Sequence, residues 1–174
     1  MKQLKWVIAG MLMVVAAAGC GYRLAGGGYL NETVTRVSVA VFENNSSESR
    51  AGISFTNELI REITEKTDTE VVDGARATQV IAGTIKAITF SSLSRSSTTS
   101  VAERRVTAVV DVKLTGPEGG ILWSVKGFSA TESYTVSGST STGTIIDEAS
   151  KRQAVDTIAQ RVAERLVSRM TNNF

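Results

Sequence analysis

The stretch VAERRVTAVVDVKLTGPEGGILWSVK, residues 101–126, decides the fold. Val106, Ala108, Val110, Val112 and Leu114 alternate with Arg105, Thr107, Val109, Asp111 and Lys113. That period of two is the mark of a strand with one buried and one wet face. Thr115–Gly120 then reads as a hairpin turn, with Pro117 and three glycines supplying the backbone angles a turn needs. Ile121–Tyr134 returns as the partner strand, Ile121, Trp123 and Val125 alternating with Leu122, Ser124 and Lys126.

Working outward, Arg36–Phe42 alternates in the same way, and the pattern predicts Val37, Val39 and Val41 on the inner face. A polar turn, ENNSSES at 43–49, precedes a helix over Arg50–Lys66. Its expected apolar stripe is Ile53, Thr56, Ile60 and Ile63, widened by Phe55 and Leu59, with Glu62 and Lys66 paired on the exposed side. Glu70–Asp73 is short and extended, and Thr78–Phe90 is β-rich. Ile145–Met170 is a long helix whose stripe is Val155, Ile158, Ala159, Val162, Leu166 and Met170. Lys151, Arg152, Arg161, Glu164, Arg165 and Arg169 read as its solvated face.

The order is β-α-β-β-β-α. A βαβ unit places its strands parallel, and hairpins add the next two. The expected fold is α+β: a two-layer sandwich, two helices packed on one face of a four-stranded mixed sheet. The other face carries Arg36, Arg105, Asp111, Lys113 and Lys126, too polar for a second core.

Two segments stand apart by composition. Residues 91–100 hold eight hydroxyl residues and Arg95, and Thr135–Thr144 hold seven hydroxyl residues and two glycines. With ENNSSES, the element order predicts that these loops gather at one end, the hairpin turn lying at the other. They read either as solvated loops or as a polar recognition tip. In the second reading guanidinium groups bind phosphate and hydroxyls suit sugar. The candidate residues are Arg95, Arg104, Arg105 and Lys126.

The first residues read as an address. Lys2 and Lys5 precede an apolar run, Trp6–Ala18, and small residues lead to Cys20. This is secretory signal architecture. Small residues before Cys20 match a lipobox, in which the thiol takes a diacylglycerol and the new N-terminus is acylated. Gly21 after the cysteine suits the outer rather than the inner membrane. The expected division is 1–19 signal peptide, 20–33 lipidated flexible tether, and 34–174 one α+β domain.

Charge and chemistry narrow the function. The 174 residues carry 19 Lys+Arg and 17 Asp+Glu. The signal holds two of the lysines and no acid, so the remainder is neutral, which argues against nucleic acid as a partner. With no histidine, Ser-His-Asp and Cys-His catalysis and every His-ligated metal site are excluded. No nucleophile–base spacing is visible, so the expectation is a non-enzyme, with no metal and no cofactor beyond lipid on Cys20.

Cys20-Gly21-Tyr22-Arg23-Leu24, with this element order from Cys20 to about Met170, resembles the lipopolysaccharide-assembly lipoproteins of the LptE family. The resemblance implies an outer-membrane lipoprotein that plugs the LptD β-barrel, assists its assembly and binds lipopolysaccharide. It also implies a basic contact residue between the second and third long strands, where Arg95 stands. A second basic residue is expected before the last helix, where Thr135–Thr144 has none. VAVFENN at 39–45 also resembles other periplasm-facing lipoproteins, secretion-system subunits and peptidoglycan-synthase activators among them.

Overall fold

The computed structural model describes residues 28–95, 101–137 and 143–172. Its strands are β1 (Arg36–Val39), β2 (Glu43–Asn44), β3 (Glu70–Val71), β4 (Gln79–Arg95), β5 (Val101–Thr115) and β6 (Ile121–Ser137). Its helices are α1 (Ala51–Lys66) and α2 (Gly143–Asn172). The sheet runs β3-β1-β4-β5-β6, with β2 also on β4. β1 is parallel to β4, as a βαβ unit requires, and β4, β5 and β6 form an antiparallel meander. Both helices pack over one sheet face. The fold is therefore the α+β sandwich expected, with six strands rather than four; the two extra strands, β2 and β3, are two residues each.

The long strands exceed their sequence limits. β4 continues to Arg95 and β6 to Ser137, so half of the stretch read as a loop at 91–100 is ladder. Serine and threonine hold strand geometry once a neighbouring strand supplies hydrogen bonds. At about 3.3 Å per residue, β4 spans about 55 Å.

The hairpin turn forms as its residues demand. Gly116 N–H donates to Gly120 O at 2.8 Å, and Gly119 adopts φ 78°. A second positive-φ glycine, Gly127 at 62°, marks a bulge in β6, where Val110 pairs with Phe128 but Val112 with Val125. The extra residue switches the inward parity of β6. Below it Trp123 and Val125 pack on the core; above it Phe128, Ala130 and Val136 are buried.

A bulge also breaks the first strand. Val39 pairs with Ile81, but Glu43 pairs with Thr84, so one residue is extra between β1 and β2. Alternation fails there. Val41, expected inside, is 70% exposed, while Phe42 is 3% exposed. The N–H of Phe42 donates to Thr56 Oγ1 on α1 at 2.9 Å, and that hydroxyl donates to Gly52 O at 2.7 Å. The Phe42 ring lies over Gly83, where an added Cβ would fall 2.2 Å from a ring carbon. Its carbonyl backs onto Gly52, where a Cβ would approach to 2.7 Å. Glycine is needed at both positions for space.

Most of the expected α1 stripe is buried on this seat, Thr56 among it. Phe55, Leu59 and Ile63 are buried, whereas Ile53 is 61% exposed. Glu62, expected outside, is buried. Desolvation pushes its carboxyl above the ordinary range, and the nearby Glu164 carboxylate of α2 adds to the rise. All six residues of the expected α2 stripe are buried, with Ala154, Ala163 and Val167 besides. Ser54 Oγ of α1 donates to Asp156 Oδ1 of α2 at 2.8 Å, and Lys151 Nζ of α2 reaches Glu48 Oε1, in the turn before α1, at 2.8 Å. Lys151 also stands 4.8 Å from the centre of the Phe90 ring, and its hydrogen bond to Glu48 raises its pKa.

The segment expected to be a tether joins the core before residue 34. Leu30 is 1% exposed, its N–H donating to Thr69 Oγ1 at 2.9 Å, while Thr69 donates to Val34 O at 2.8 Å.

Gly83→Ala should destabilise the domain by about 1–3 kcal/mol in urea unfolding. Combining it with Phe42→Leu should cost less than the two single changes together. Glu62 has its folded pKa raised, so the unfolded chain ionises first and stability falls as pH rises above the ordinary carboxylate range. Glu62→Gln should therefore raise the urea midpoint at pH 7. The gain should shrink as pH falls toward 4, where the wild-type carboxyl is protonated in both states.

Candidate recognition surface

The helices leave one face of the meander open. Cross-strand register arranges it in rows. Thr89, Thr107 and Thr131 form one, and Ser91, Arg105 and Ser133 the next. Ala87, Val109 and Ser129 follow toward the turn, then Thr84 with Asp111, then Ala82, Lys113 and Ser124. Cross-strand neighbours stand about 5 Å apart, so the hydroxyls form a ladder rather than a scatter. Arg105 is exposed in the centre of its row. Asp111 Oδ1 accepts the Gly127 N–H at 2.6 Å, which ties the bulge to this face. The face offers many hydrogen bonds along its hydroxyl rows, with exposed Val80 and Leu122 toward the hairpin turn, so its greater part matches a polar partner.

The candidate residues do not form one cluster. Arg95 is the last residue of β4, in register with Ala102. Arg104 is half-buried and pairs with Ser92 and Tyr134. By alternation with Val106 it lies on the helix-covered side, opposite to Arg105. Lys126 lies at the Gly127 bulge, seven residues from Ser133 and so about 23 Å down the strand. Cys20 lies outside the described residues.

The loop geometry is corrected as well. Val101 pairs with Ser137, so the segments 96–100 and 138–142 leave the sheet at the same end. ENNSSES does not join them. Asn44 pairs with Ile85, ten residues short of Arg95, about 33 Å along the strand. That loop instead prepares the start of α1: Asn44 Nδ2 donates to Glu48 O at 2.8 Å and Ser46 Oγ to Asn44 Oδ1 at 2.7 Å. Its local hydroxyls serve the turn, as Asx chemistry does elsewhere.

Two arginines escaped the sequence reading. Arg165 and Arg169, assigned to a solvated face, line a cleft with Lys126 beside the β6 bulge. The available signal was the spacing of Arg161, Arg165 and Arg169, four residues apart on one helix face. Arg161 turns to Glu132 instead, Nε to Oε2 2.7 Å. Among the described residues, no group of three His, Cys, Asp or Glu side chains is placed to hold a metal ion. No described helix is long and apolar enough to cross a membrane.

The domain is an α+β sandwich with one core, two helices on one side and an open hydroxyl face. The chain belongs to the LptE family of lipopolysaccharide-assembly lipoproteins, which matches residues 34–170. Members are assembly lipoproteins and not enzymes. No curated protein matches the chain. Among solved structures, a minor lipoprotein from Acinetobacter baumannii is 11% identical, covering 78% of this chain and 92% of that one at a TM-score of 0.47. Uncharacterized lipoprotein B from Nitrosomonas europaea is 16% identical, covering 87% and 94% at a TM-score of 0.49. Neither likeness extends to function.

Proposed function

We propose that this lipoprotein is anchored in the outer membrane through lipid on Cys20 and plugs an LptD-type β-barrel. In that position it assists assembly of the barrel and the transport and insertion of lipopolysaccharide. The observation that carries the reading is the open face of β4, β5 and β6. A porin-type lumen is polar, and three long strands bearing Thr89, Thr107, Thr131, Ser91, Arg105 and Ser133 in register present it with a dense set of donors and acceptors. Family membership supports the lipopolysaccharide-assembly role.

The lipopolysaccharide contact is assigned to the end of the meander farthest from the hairpin turn. Arg95 closes β4 there, and Arg105 lies on the open face a few residues along the ladder, with Arg104 next to it on the helix-covered side. A guanidinium can take two phosphate oxygens at once, and adjacent hydroxyls suit the sugars. Polar contacts of this kind favour passage over tight retention.

Depletion of the protein should raise outer-membrane permeability and lower surface lipopolysaccharide; unchanged surface lipopolysaccharide would sink the assembly role. Arg95→Glu should weaken binding of purified lipopolysaccharide by the detergent-solubilised lipoprotein while leaving its thermal unfolding unchanged. Undiminished binding would remove the recognition tip and leave those segments as solvated loops.

A further inference from the structure

The cleft between the edge of β6 and the last turns of α2 belongs to neither the open face nor the Arg95 end. It has a volume of about 600 Å³. Three cations line it: Lys126 from the bulge, and Arg165 and Arg169 one helical turn apart. One carboxylate, Glu164, lines it too, and accepts from Gln160 Nε2 at 3.0 Å. Ser129 and Ser168 add hydroxyls.

Two features build this arrangement. The Gly127 bulge, with φ 62°, sets Lys126 beside α2. The Phe128 ring, immediately above the bulge, carries Arg169 with its guanidinium carbon 4.8 Å from the ring centre. A guanidinium laid on an aromatic face keeps its N–H groups free at its rim, oriented at little further cost.

We propose that this cleft binds a phosphate group. Its excess of two positive charges selects an anion. Two planar forks and one ammonium offer more donors than the two oxygens of a carboxylate can use. A phosphate, with three or more exposed oxygens and up to two charges, takes them all. The site is independent of the reading at Arg95: it lies in the half of the domain nearer the hairpin turn. It gives Lys126 a partner set that its position in the sequence did not suggest. The phosphate can come from lipopolysaccharide, where a monoester offers three free oxygens, or from a phosphoglyceride headgroup, a diester with two free oxygens and one charge that fills fewer of the donors.

The test uses the full-length lipoprotein in neutral detergent micelles, with inorganic pyrophosphate titrated by calorimetry as the first probe. Wild type should bind at millimolar or lower concentration, and Lys126→Gln with Arg165→Gln should weaken binding about tenfold or more. Both side chains are exposed, so thermal unfolding should not move. Arg169→Lys, which keeps the charge and loses the fork, should give a smaller loss. Arg152→Gln, which removes an exposed arginine of α2 outside the cleft, should bind as wild type does. Absent pyrophosphate binding, or an equal loss in Arg152→Gln, overturns the proposal.

Two further arms distinguish the sources. If lipopolysaccharide is the source, the double variant should bind it less well than wild type, and phosphatase treatment should abolish that difference. If the headgroup is the source, wild type should bind phosphatidylethanolamine vesicles containing phosphatidylglycerol better than the double variant does. A double variant equal to wild type in both arms also overturns the proposal. Loss at Lys126 and Arg165 with Arg95→Glu silent would support this cleft and remove the tip; the reverse would remove the cleft alone.

Discussion

The seat of Phe42 is the constraint on which the rest of the arrangement depends. A bulge between β1 and β2 turns this residue into the core and takes its N–H out of the ladder. A buried N–H without a partner costs about 1–3 kcal/mol, and Thr56 of α1 accepts it. The ring needs the empty space over Gly83, and the carbonyl needs the empty space at Gly52. One side chain thus sets how close α1 comes to the sheet and which of its faces turns inward. On the α1 seated there, Ile53 is exposed and Glu62 is buried, with the Glu164 carboxylate of α2 nearby.

Two bulges, in β6 and between β1 and β2, shape the surfaces by the same rule. One extra residue moves every later side chain to the other face. In β6 the switch at Gly127 keeps apolar residues inward on both sides of the bulge and releases Lys126 toward α2. The polar face and the basic cleft are then products of one irregularity: the face gains the Asp111–Gly127 tie, and the cleft gains its lysine.

Much of the architecture was legible because it rests on repetition. The alternation of β5, the turn TGPEGG and the stripe of α2 each sum many weak preferences of one period, and the structure agrees with all three. The misjudged positions are those where one residue changes the count. Val41 and Phe42 exchange places because a bulge is a single event with no periodic signature. Ile53 lies at the margin of the buried stripe formed by Phe55, Thr56, Leu59 and Ile63, and its hydrophobicity alone does not bring it inside. Of the candidate binding residues, Arg105 falls on the open face as expected. Arg104 alternates with it and lies on the helix-covered side, and Lys126 lines the cleft at the bulge, since distant residues meet only through register.

The sequence by itself therefore determined the element order, the α+β class, the near balance of 19 basic and 17 acidic residues and the absence of histidine chemistry. Each follows from composition or from a period that local geometry enforces. Only the tertiary structure decided how far the strands run, which face of α1 is buried, and that Lys126 shares a cleft with Arg165 and Arg169. Those outcomes depend on steric room at Gly52 and Gly83 and on hydrogen-bond register between strands, quantities that exist only once separate parts of the chain are in contact.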